Sequence, residues 1–144
     1  MKLSTRTRYA MRALIELAEN SGKGPLQLKI IAKRQDISIK YLEQLMAVLK
    51  SAGLVRSVRG SKGGYALTMA PEQIKLSDAF HYLEGTVTTV ECVGNEDYCS
   101  RTADCATRKV WMQVQMAIDD VLKSITLRDL VKMSEGNRKL NYQI

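Results

Sequence analysis

The sequence predicts a mainly α-helical fold that carries one small β-hairpin. Apolar residues recur at helical spacing in three stretches of the first 53 residues and again over residues 106–125. Between them, residues 54–68 alternate apolar and polar side chains around a glycine-rich run, which is the pattern of two strands joined by a turn. With 144 residues, 45% of them hydrophobic, the chain is long enough to bury a core.

The first three helices have recognisable starts. Ser4 is the expected N-cap of a helix that runs to Glu19, and a shorter helical pattern follows over residues 26–34. Ser38 is the expected N-cap of the third helix, which Gly53 ends as a left-handed C-cap. The apolar stripe of this third helix is formed by Leu42, Leu45, Met46 and Leu49.

The second and third helices, joined by a short break, predict a helix-turn-helix. In this motif the first residues of the second helix face the edges of DNA bases, and here these are Lys40, Glu43 and Gln44. The hairpin that follows carries Arg59 and Lys62 at its tip. It therefore predicts a wing that lies along the DNA backbone or enters the minor groove.

Basic residues are concentrated in the first half of the chain. Residues 1–70 carry thirteen Lys/Arg and four Asp/Glu, whereas residues 71–144 carry nine and eleven. A basic block in a folded segment indicates a nucleic-acid face, although a solvated surface would give the same charge balance. Together with the motif, it predicts that residues 1–70 are a winged helix-turn-helix DNA-binding region and that the partner is double-stranded DNA.

In residues 71–133 the sequence pattern predicts a short helix over 77–83, a polar cysteine segment, a long helix over 106–125 and a last helix that ends at Met133. The apolar stripe of the long helix is too wide to cover one small domain, which indicates a dimerisation helix and a homodimer. Residues 134–144 are polar and predict a flexible C-terminal tail. The stripe is formed by Val110, Trp111, Val114, Ala117, Ile118, Val121, Leu122 and Ile125.

The N-terminus lacks the apolar stretch of a signal peptide, and no apolar run approaches the length that spans a membrane. We therefore expect a cytoplasmic protein with no membrane partner. In that compartment thiols stay reduced and available as ligands.

All three cysteines lie in one polar segment, with the spacing C-x6-C-x5-C. Thiolates are soft ligands that suit iron–sulfur clusters, zinc or copper(I). The odd number argues against a disulfide framework, which leaves three unremarkable thiols as the alternative. The sequence therefore predicts a metal or cluster site at Cys92, Cys99 and Cys105.

Several of these stretches match one known family. They are Leu3–Ser4, Arg8–Tyr9–Ala10, the run Ile37–Leu45, the wing Val58–Tyr65, the three cysteines and Ile125–Thr126–Leu127. Together they resemble the IscR-type family of bacterial winged-helix regulators, which includes IscR, NsrR and RirA. The resemblance covers residues 1–133, and the recognition-helix run is most similar to that of IscR.

The resemblance implies a homodimer that binds a near-palindromic operator. It also implies an iron–sulfur cluster held by the three cysteines in front of the dimerisation helix. We expect a [2Fe–2S] cluster, and a 4Fe cluster is the alternative. The matching motifs give the following DNA-binding candidates: Arg8, Ser38, Lys40, Tyr41, Glu43, Gln44, Arg59, Gly60, Ser61, Lys62, Gly63 and Gly64.

Two positions depart from the family pattern. Arg108 stands three residues after the last cysteine, where IscR-like chains often have a histidine that ligates the cluster, and a guanidinium cannot ligate. Lys40 replaces a small hydroxyl residue and adds a donor for phosphate or guanine. The fourth ligand stays open between a group of the partner subunit, a small thiol, water and the carboxylates of Glu91, Glu96, Asp97 and Asp104.

The leading hypothesis is a transcription regulator that senses iron–sulfur cluster status and controls genes of cluster assembly. A regulator of the same fold that holds zinc, or that responds to nitric oxide or iron, is the alternative. A small iron–sulfur scaffold or electron carrier would need neither helix-turn-helix nor wing. We expect no enzyme and no small-molecule substrate, because no Ser/His/Asp set, phosphate loop or catalytic carboxylate pair is present.

Overall fold

The structure is a computed structural model that describes residues 2–142. In chain order the elements are α1 (Thr5–Glu19), α2 (Leu28–Gln35), α3 (Ile39–Ser51), β1 (Val55–Val58), β2 (Gly64–Leu67), a 3-10 turn (Pro71–Gln73), α4 (Leu76–Glu84), the single turn α5 (Glu91–Gly94), a 3-10 turn (Glu96–Tyr98), α6 (Ala106–Ser124) and α7 (Leu127–Tyr142). The predicted fold class, mainly α-helical with one hairpin, is confirmed. Across the described residues, no helix is both long and apolar enough to cross a membrane.

The helix-turn-helix is built on one buried core. The stripe predicted for α3 is confirmed, because Leu42, Leu45, Met46 and Leu49 are all buried, against residues of α1 that include Leu14. Both predicted N-caps are present as well. Ser4 Oγ accepts a hydrogen bond from the Thr7 N–H at 3.1 Å, and Ser38 Oγ accepts one from the Tyr41 N–H at 3.2 Å.

The hairpin is held against the start of α2. Strands β1 and β2 pair antiparallel, and Leu26 and Tyr65 exchange backbone hydrogen bonds of 2.8 and 2.9 Å. Gly64 has a φ of +153°, and a side chain there would run into the backbone of Leu26. Only glycine therefore lets the wing approach the helix-turn-helix this closely.

The C-terminal half joins the same core. Leu127 N donates to Ile74 O, and Leu76 N donates to Ile125 O, both at 2.9 Å, so the chain after α6 is fastened to the start of α4. Leu127 and Val131 of α7 are buried with the residues of α1 and α3. The end of α6 is thereby tied directly to the DNA-binding half of the molecule.

The last helix is longer than the sequence indicates. It was expected to end at Met133, but it continues to Tyr142, so the predicted end is wrong. The flexibility expected of the C-terminal tail stays a prediction. The apolar pattern stops near Met133, whereas the helix continues with a polar surface on which Arg138 Nη2 lies 3.0 Å from Glu19 Oε1 of α1. Gln143 and Ile144 lie outside the described residues.

Candidate nucleic-acid interface and cysteine segment

The first two turns of α3 present polar side chains to solvent. Ser38, Lys40, Glu43 and Gln44 are all exposed, while the stripe headed by Leu42 faces the core. The Ser38 hydroxyl fixes the start of the helix and so fixes the direction in which these side chains project. The surface predicted to face DNA bases is therefore accessible.

Tyr41 packs against α1. It is half-buried, and its ring stands edge-on to that of Tyr9 on α1, with 6.0 Å between the ring centroids. The Arg12 guanidinium lies 5.2 Å from the Tyr9 ring centroid, and Arg12 Nε donates to Gln35 Oε1 at 2.8 Å. Tyr41 thus belongs to a group of side chains that fixes α3 against α1. Arg8 on α1 is exposed.

The tip of the hairpin consists of an exposed part and a supporting part. Arg59, Gly60, Ser61 and Lys62 are exposed. Gly63 is buried, and a Cβ at this position would collide with the carbonyl oxygen of residue 58. Gly63 and Gly64 therefore shape the hairpin, while residues 59–62 form the part that reaches outward.

The three cysteines lie at three different points of the segment that leads into α6. Cys92 is half-buried in α5, Cys99 is exposed after the second 3-10 turn, and Cys105 is half-buried at the N-cap of α6. All three are free thiols. The sequence predicts an irregular loop here, but the segment contains two short helical turns.

The donor set suits a soft metal or cluster, but the sulfurs do not form a ready-made site. Within residues 2–142, no three side chains of His, Cys, Asp or Glu lie close enough together to hold a metal ion. Three thiolates have the chemistry that iron–sulfur clusters and zinc require. Ligation of one group by all three cysteines therefore requires the segment to rearrange from the conformation described here.

The start of α6 stabilises one thiolate. Cys105 Sγ lies 3.2 Å from the Thr107 hydroxyl, and this hydrogen bond, with the backbone N–H of Arg108, lowers the pKa of the Cys105 thiol below its ordinary value. The thiolate is the nucleophilic and metal-binding form of cysteine. The fold therefore favours the reactive form at the residue that joins the segment to α6.

Arg108 fastens the cysteine segment instead of ligating a metal. Its Nε donates to the carbonyl oxygen of Cys92 at 2.9 Å, and its Nη2 lies 3.4 Å from Glu96 Oε1. The Arg108 side chain is only 13% exposed. At the position of the family's histidine, this chain thus has a cation that binds α5 and the following turn to α6.

Gln115, two helical turns further along α6, holds the other end of the segment. Its Nε2 donates to Val87 O at 2.8 Å, and its Oε1 accepts from the Thr89 N–H at 2.9 Å. An amide can pair in this way with the donor and the acceptor of an extended backbone. Sequence reasoning missed this residue, although its position is a signal for it: Gln115 is a polar residue four places after Trp111 and three before Ile118, at the spacing of the apolar stripe.

The apolar face of α6 is uncovered. No residue of this helix is buried, and its exposed apolar side chains include Val110, Trp111, Val114 and Val121. They adjoin a groove of about 450 Å³ whose lining is wholly apolar: Leu3, Phe80, Val87, Val114, Ala117, Ile118, Val121 and Leu122. A continuous apolar surface of this kind is typical of a protein–protein contact.

Comparison with known proteins identifies the family. The sequence pattern of the Rrf2 family, described as an iron-dependent transcriptional regulator, matches residues 3–133. The chain belongs to the Rrf2 family. It is 40% identical over 139 residues to the transcriptional regulator CymR of Bacillus subtilis, covering 96% of both chains. The solved structure of CymR, described as the global cysteine regulator of B. subtilis, superimposes with a TM-score of 0.81 at 40% identity, over 92% of this chain and 98% of that one.

A second solved structure, T. potens IscR, is 42% identical, has a TM-score of 0.77 and is matched over 95% of this chain and 90% of that one. The resemblance to IscR-type regulators is thereby confirmed, and so is the winged-helix fold. This Rrf2 chain is a transcriptional regulator and not an enzyme. In regulators with a helix-turn-helix, the second helix of the motif lies in the major groove of DNA.

Proposed function

We propose that this Rrf2 regulator binds a near-palindromic operator as a homodimer and changes its DNA affinity with the state of Cys92, Cys99 and Cys105. The observation that carries the proposal is where the thiols are attached. Cys105 occupies the N-cap position of α6, and Arg108 and Gln115 of α6 hold the segment that contains Cys92. A change at the thiols therefore acts on the helix whose apolar face is left for a partner.

The dimer follows from the uncovered face of α6. Most soluble homo-oligomers are two-fold dimers, and two copies of an apolar helix cover each other across such an axis. A two-fold dimer places two recognition helices on one side, where they reach half-sites about 34–36 Å apart in successive major grooves. Arg59 and Lys62 of each wing then lie beside the outer phosphates or minor groove.

We assign the three thiols as ligands of an iron–sulfur cluster, [2Fe–2S]. The donor chemistry supports this, and so does the likeness to T. potens IscR. When bound, the cluster supplies a redox-sensitive and labile centre that reports on iron–sulfur supply. Arg108 leaves the fourth position to a nearby carboxylate, a partner group or a small molecule. We further propose that the regulated genes serve iron–sulfur cluster assembly.

A second candidate is a regulator whose thiols respond without an iron–sulfur cluster. Two observations favour it: among the described residues the three sulfurs are not grouped for a metal, and a related structure is that of a global cysteine regulator. In this case Cys105, whose thiol pKa is lowered by the Thr107 hydroxyl and the Arg108 N–H, is the residue that reacts with an oxidant or a small thiol. The zinc form, with the metal held by the three thiols, is a separate candidate: like the cluster it requires the three sulfurs to come together, so the first observation does not favour it.

The experiment is purification without air, followed by an absorption spectrum, metal and sulfide analysis, and binding to duplexes that the protein selects from a random-sequence library. We expect a coloured protein with about two irons and two sulfides per chain, whose operator affinity changes when the cluster is removed. Single Cys→Ala variants at positions 92, 99 and 105 should lose the colour and keep their helical content.

Other outcomes decide between the candidates. A colourless protein with about one zinc per chain supports the zinc form. A metal-free protein whose DNA affinity follows reversible thiol oxidation supports direct thiol sensing. If DNA affinity is the same with metal, without metal and after oxidation, the proposal that the thiols control DNA binding is wrong.

A further inference from the structure

We propose that Ile39 is a specificity-determining residue that reads the C5-methyl group of a thymine in the major groove. Ile39 is the first residue of α3, directly after the N-cap Ser38. Its side chain is 50% exposed, whereas Leu42, Leu45, Met46 and Leu49 of the same helix are buried. The inference rests on the proposed binding of a sequence-specific operator and adds a residue that sequence reasoning did not include.

The position of Ile39 directs it toward DNA and away from the core. Helical side chains lean toward the N-terminus of their helix, so the first residue projects ahead of it. In a helix-turn-helix this end enters the major groove. The residues next to Ile39 on the exposed surface are Ser38, Lys40 and Glu43, all polar. Ile39 is therefore an aliphatic group within a polar reading surface.

The chemistry of the groove leaves one specific partner for such a side chain. In the major groove, purines and cytosine are recognised by hydrogen-bond donors and acceptors, and an isoleucine side chain offers neither. Thymine alone displays a methyl group there. An aliphatic side chain buries this methyl favourably and gains nothing comparable from cytosine, so Ile39 would distinguish a T·A pair from a C·G pair.

Glu43 supports the assignment because it lies one turn after Ile39, about 6 Å along the helix axis. This corresponds to about two base-pair steps of 3.4 Å. A carboxylate at this point accepts a hydrogen bond from a cytosine amino group. Ile39 and Glu43 together would therefore recognise two nearby pyrimidines: Ile39 the methyl group of a thymine, and Glu43 the amino group of a cytosine.

The test replaces single thymines of a duplex, selected by the wild-type protein from a random library, with uracil. Uracil lacks only the methyl group and keeps every hydrogen-bonding atom. We expect one thymine in each half-site whose replacement weakens wild-type binding by about fourfold, the effect of one buried methyl group. Replacement in both half-sites should weaken binding by about fifteenfold. Ile39→Ala should bind the thymine duplex more weakly and be insensitive to uracil at that position.

Two variants serve as controls. Gln44→Ala should weaken binding yet keep the preference for thymine over uracil, because it removes a polar contact only. Met69→Ala, at another exposed apolar residue outside α3, should change neither affinity nor preference. Circular dichroism checks that each variant is folded, which is expected because Ile39 is not part of the core.

Three outcomes overturn the inference. The first is wild-type binding that is indifferent to uracil at every thymine of the selected duplex. The second is an Ile39→Ala variant that keeps the full thymine preference, in which case another residue reads the methyl group. The third is a library selection that yields no preferred sequence, which would refute the proposed sequence-specific function as well. A preferred sequence without a methyl effect refutes the role of Ile39 alone.

Discussion

Arg59 and Lys62 are exposed at the tip of the wing, but they suit different contacts with DNA. A narrow A·T-rich minor groove attracts arginine, so Arg59→Ala should weaken binding most where such a groove lies beside the wing. Lys62→Ala should weaken all sequences to a similar extent and reduce the slope of log affinity against log salt by about one. Binding is measured over a series of salt concentrations. Lys139→Ala, the same charge change on α7, is the control, and an equal effect of all three variants would contradict a wing in contact with DNA.

Substitutions of Arg108 test whether this side chain positions the cysteine segment. Its contacts go to the Cys92 carbonyl and to Glu96, so Arg108→Ala should loosen residues 91–98 without removing a ligand. We expect faster amide hydrogen exchange in this segment and nearly unchanged metal or cluster content. Arg108→Lys should restore only part of the protection, because one ammonium cannot reproduce both contacts of a guanidinium. Loss of the bound metal in Arg108→Ala would show that this residue does more than position the segment.

Glu84 couples two elements and predicts a pH effect. At the end of α4, its Oε1 accepts from the Ser4 N–H at 2.7 Å, in front of α1. Hydrogen bonds from the Thr7 and Ser4 hydroxyls and from this N–H hold the pKa of Glu84 below its ordinary value of 4.5. Because the folded-state pKa is the lower one, the carboxylate stabilises the fold above pH 4.5, and this contribution is lost as the pH falls through the folded-state pKa.

Glu84→Gln should therefore lower the melting temperature at neutral pH and reduce its dependence on pH in the acid range. Thermal unfolding between about pH 7 and pH 3 measures both effects. Glu135→Gln, at an exposed position on α7, is the matched control and should leave the pH profile unchanged. A Glu84→Gln profile parallel to that of the wild type would mean that the contact to Ser4 contributes no pH-dependent stability.

The hydrogen bonds between Gln115 and residues 87–89 predict that this side chain affects how strongly the DNA affinity responds to the state of the thiols. Gln115→Leu keeps the size of the side chain and removes both hydrogen bonds to Val87 and Thr89. We expect the DNA affinities of the two thiol states to become more similar, while the affinity of one of the two states stays at its wild-type value. Gln113→Leu, an exposed position on the same helix, is the control. Operator binding by the wild type and the variants is measured before and after cluster removal or thiol oxidation. If the ratio of the two affinities is the same in Gln115→Leu as in the wild type, Gln115 only stabilises the fold.

The elements differ in how far the sequence could predict them. Helices α1 and α3 and the wing follow from local rules, because Ser4, Ser38 and the glycines set their ends and apolar spacing sets their buried faces. The extension of α7 to residue 142 depends on polar contacts such as that of Arg138 with Glu19, which are far apart in sequence. The attachment of the cysteine segment likewise depends on long-range hydrogen bonds to backbone atoms, which no periodic pattern records.

At the scale of the whole molecule, charge and apolar surface are divided. The basic residues are concentrated in the helix-turn-helix and wing, while the uncovered apolar surface lies on α6. This division suits a dimer in which the α6 helices meet and the basic halves face one DNA duplex. The backbone hydrogen bonds between residues 74–76 and 125–127 connect the two surfaces, so in such a dimer the relative placement of the subunits would set that of the recognition helices.

The dimer can be tested by placing a charge in the apolar stripe of α6. Val114 and Val121 lie on nearly the same side of the helix, two turns apart, and both are exposed in the single chain. In a two-fold interface each substitution introduces two carboxylates into an apolar contact, where ionised groups are strongly unfavourable. Val114→Glu and Val121→Glu should therefore give monomers, measured by sedimentation velocity or light scattering, with unchanged helical content because neither side chain belongs to the core.

The loss of the dimer should also appear in DNA binding. A dimer bound at one half-site holds its second recognition helix at the other, and such linkage raises affinity by about 10²–10⁴ without a new contact. The Val114→Glu monomer should thus bind a full operator at least about a hundredfold more weakly than wild type and no better than it binds a half-site. Met116→Glu is the matched control, because Met116 is exposed on the roughly opposite side of α6. A Val114→Glu protein that stays dimeric would place the subunit interface elsewhere. A monomeric Met116→Glu protein would mean that the partner contacts α6 on both sides, so that the apolar stripe alone does not define the interface.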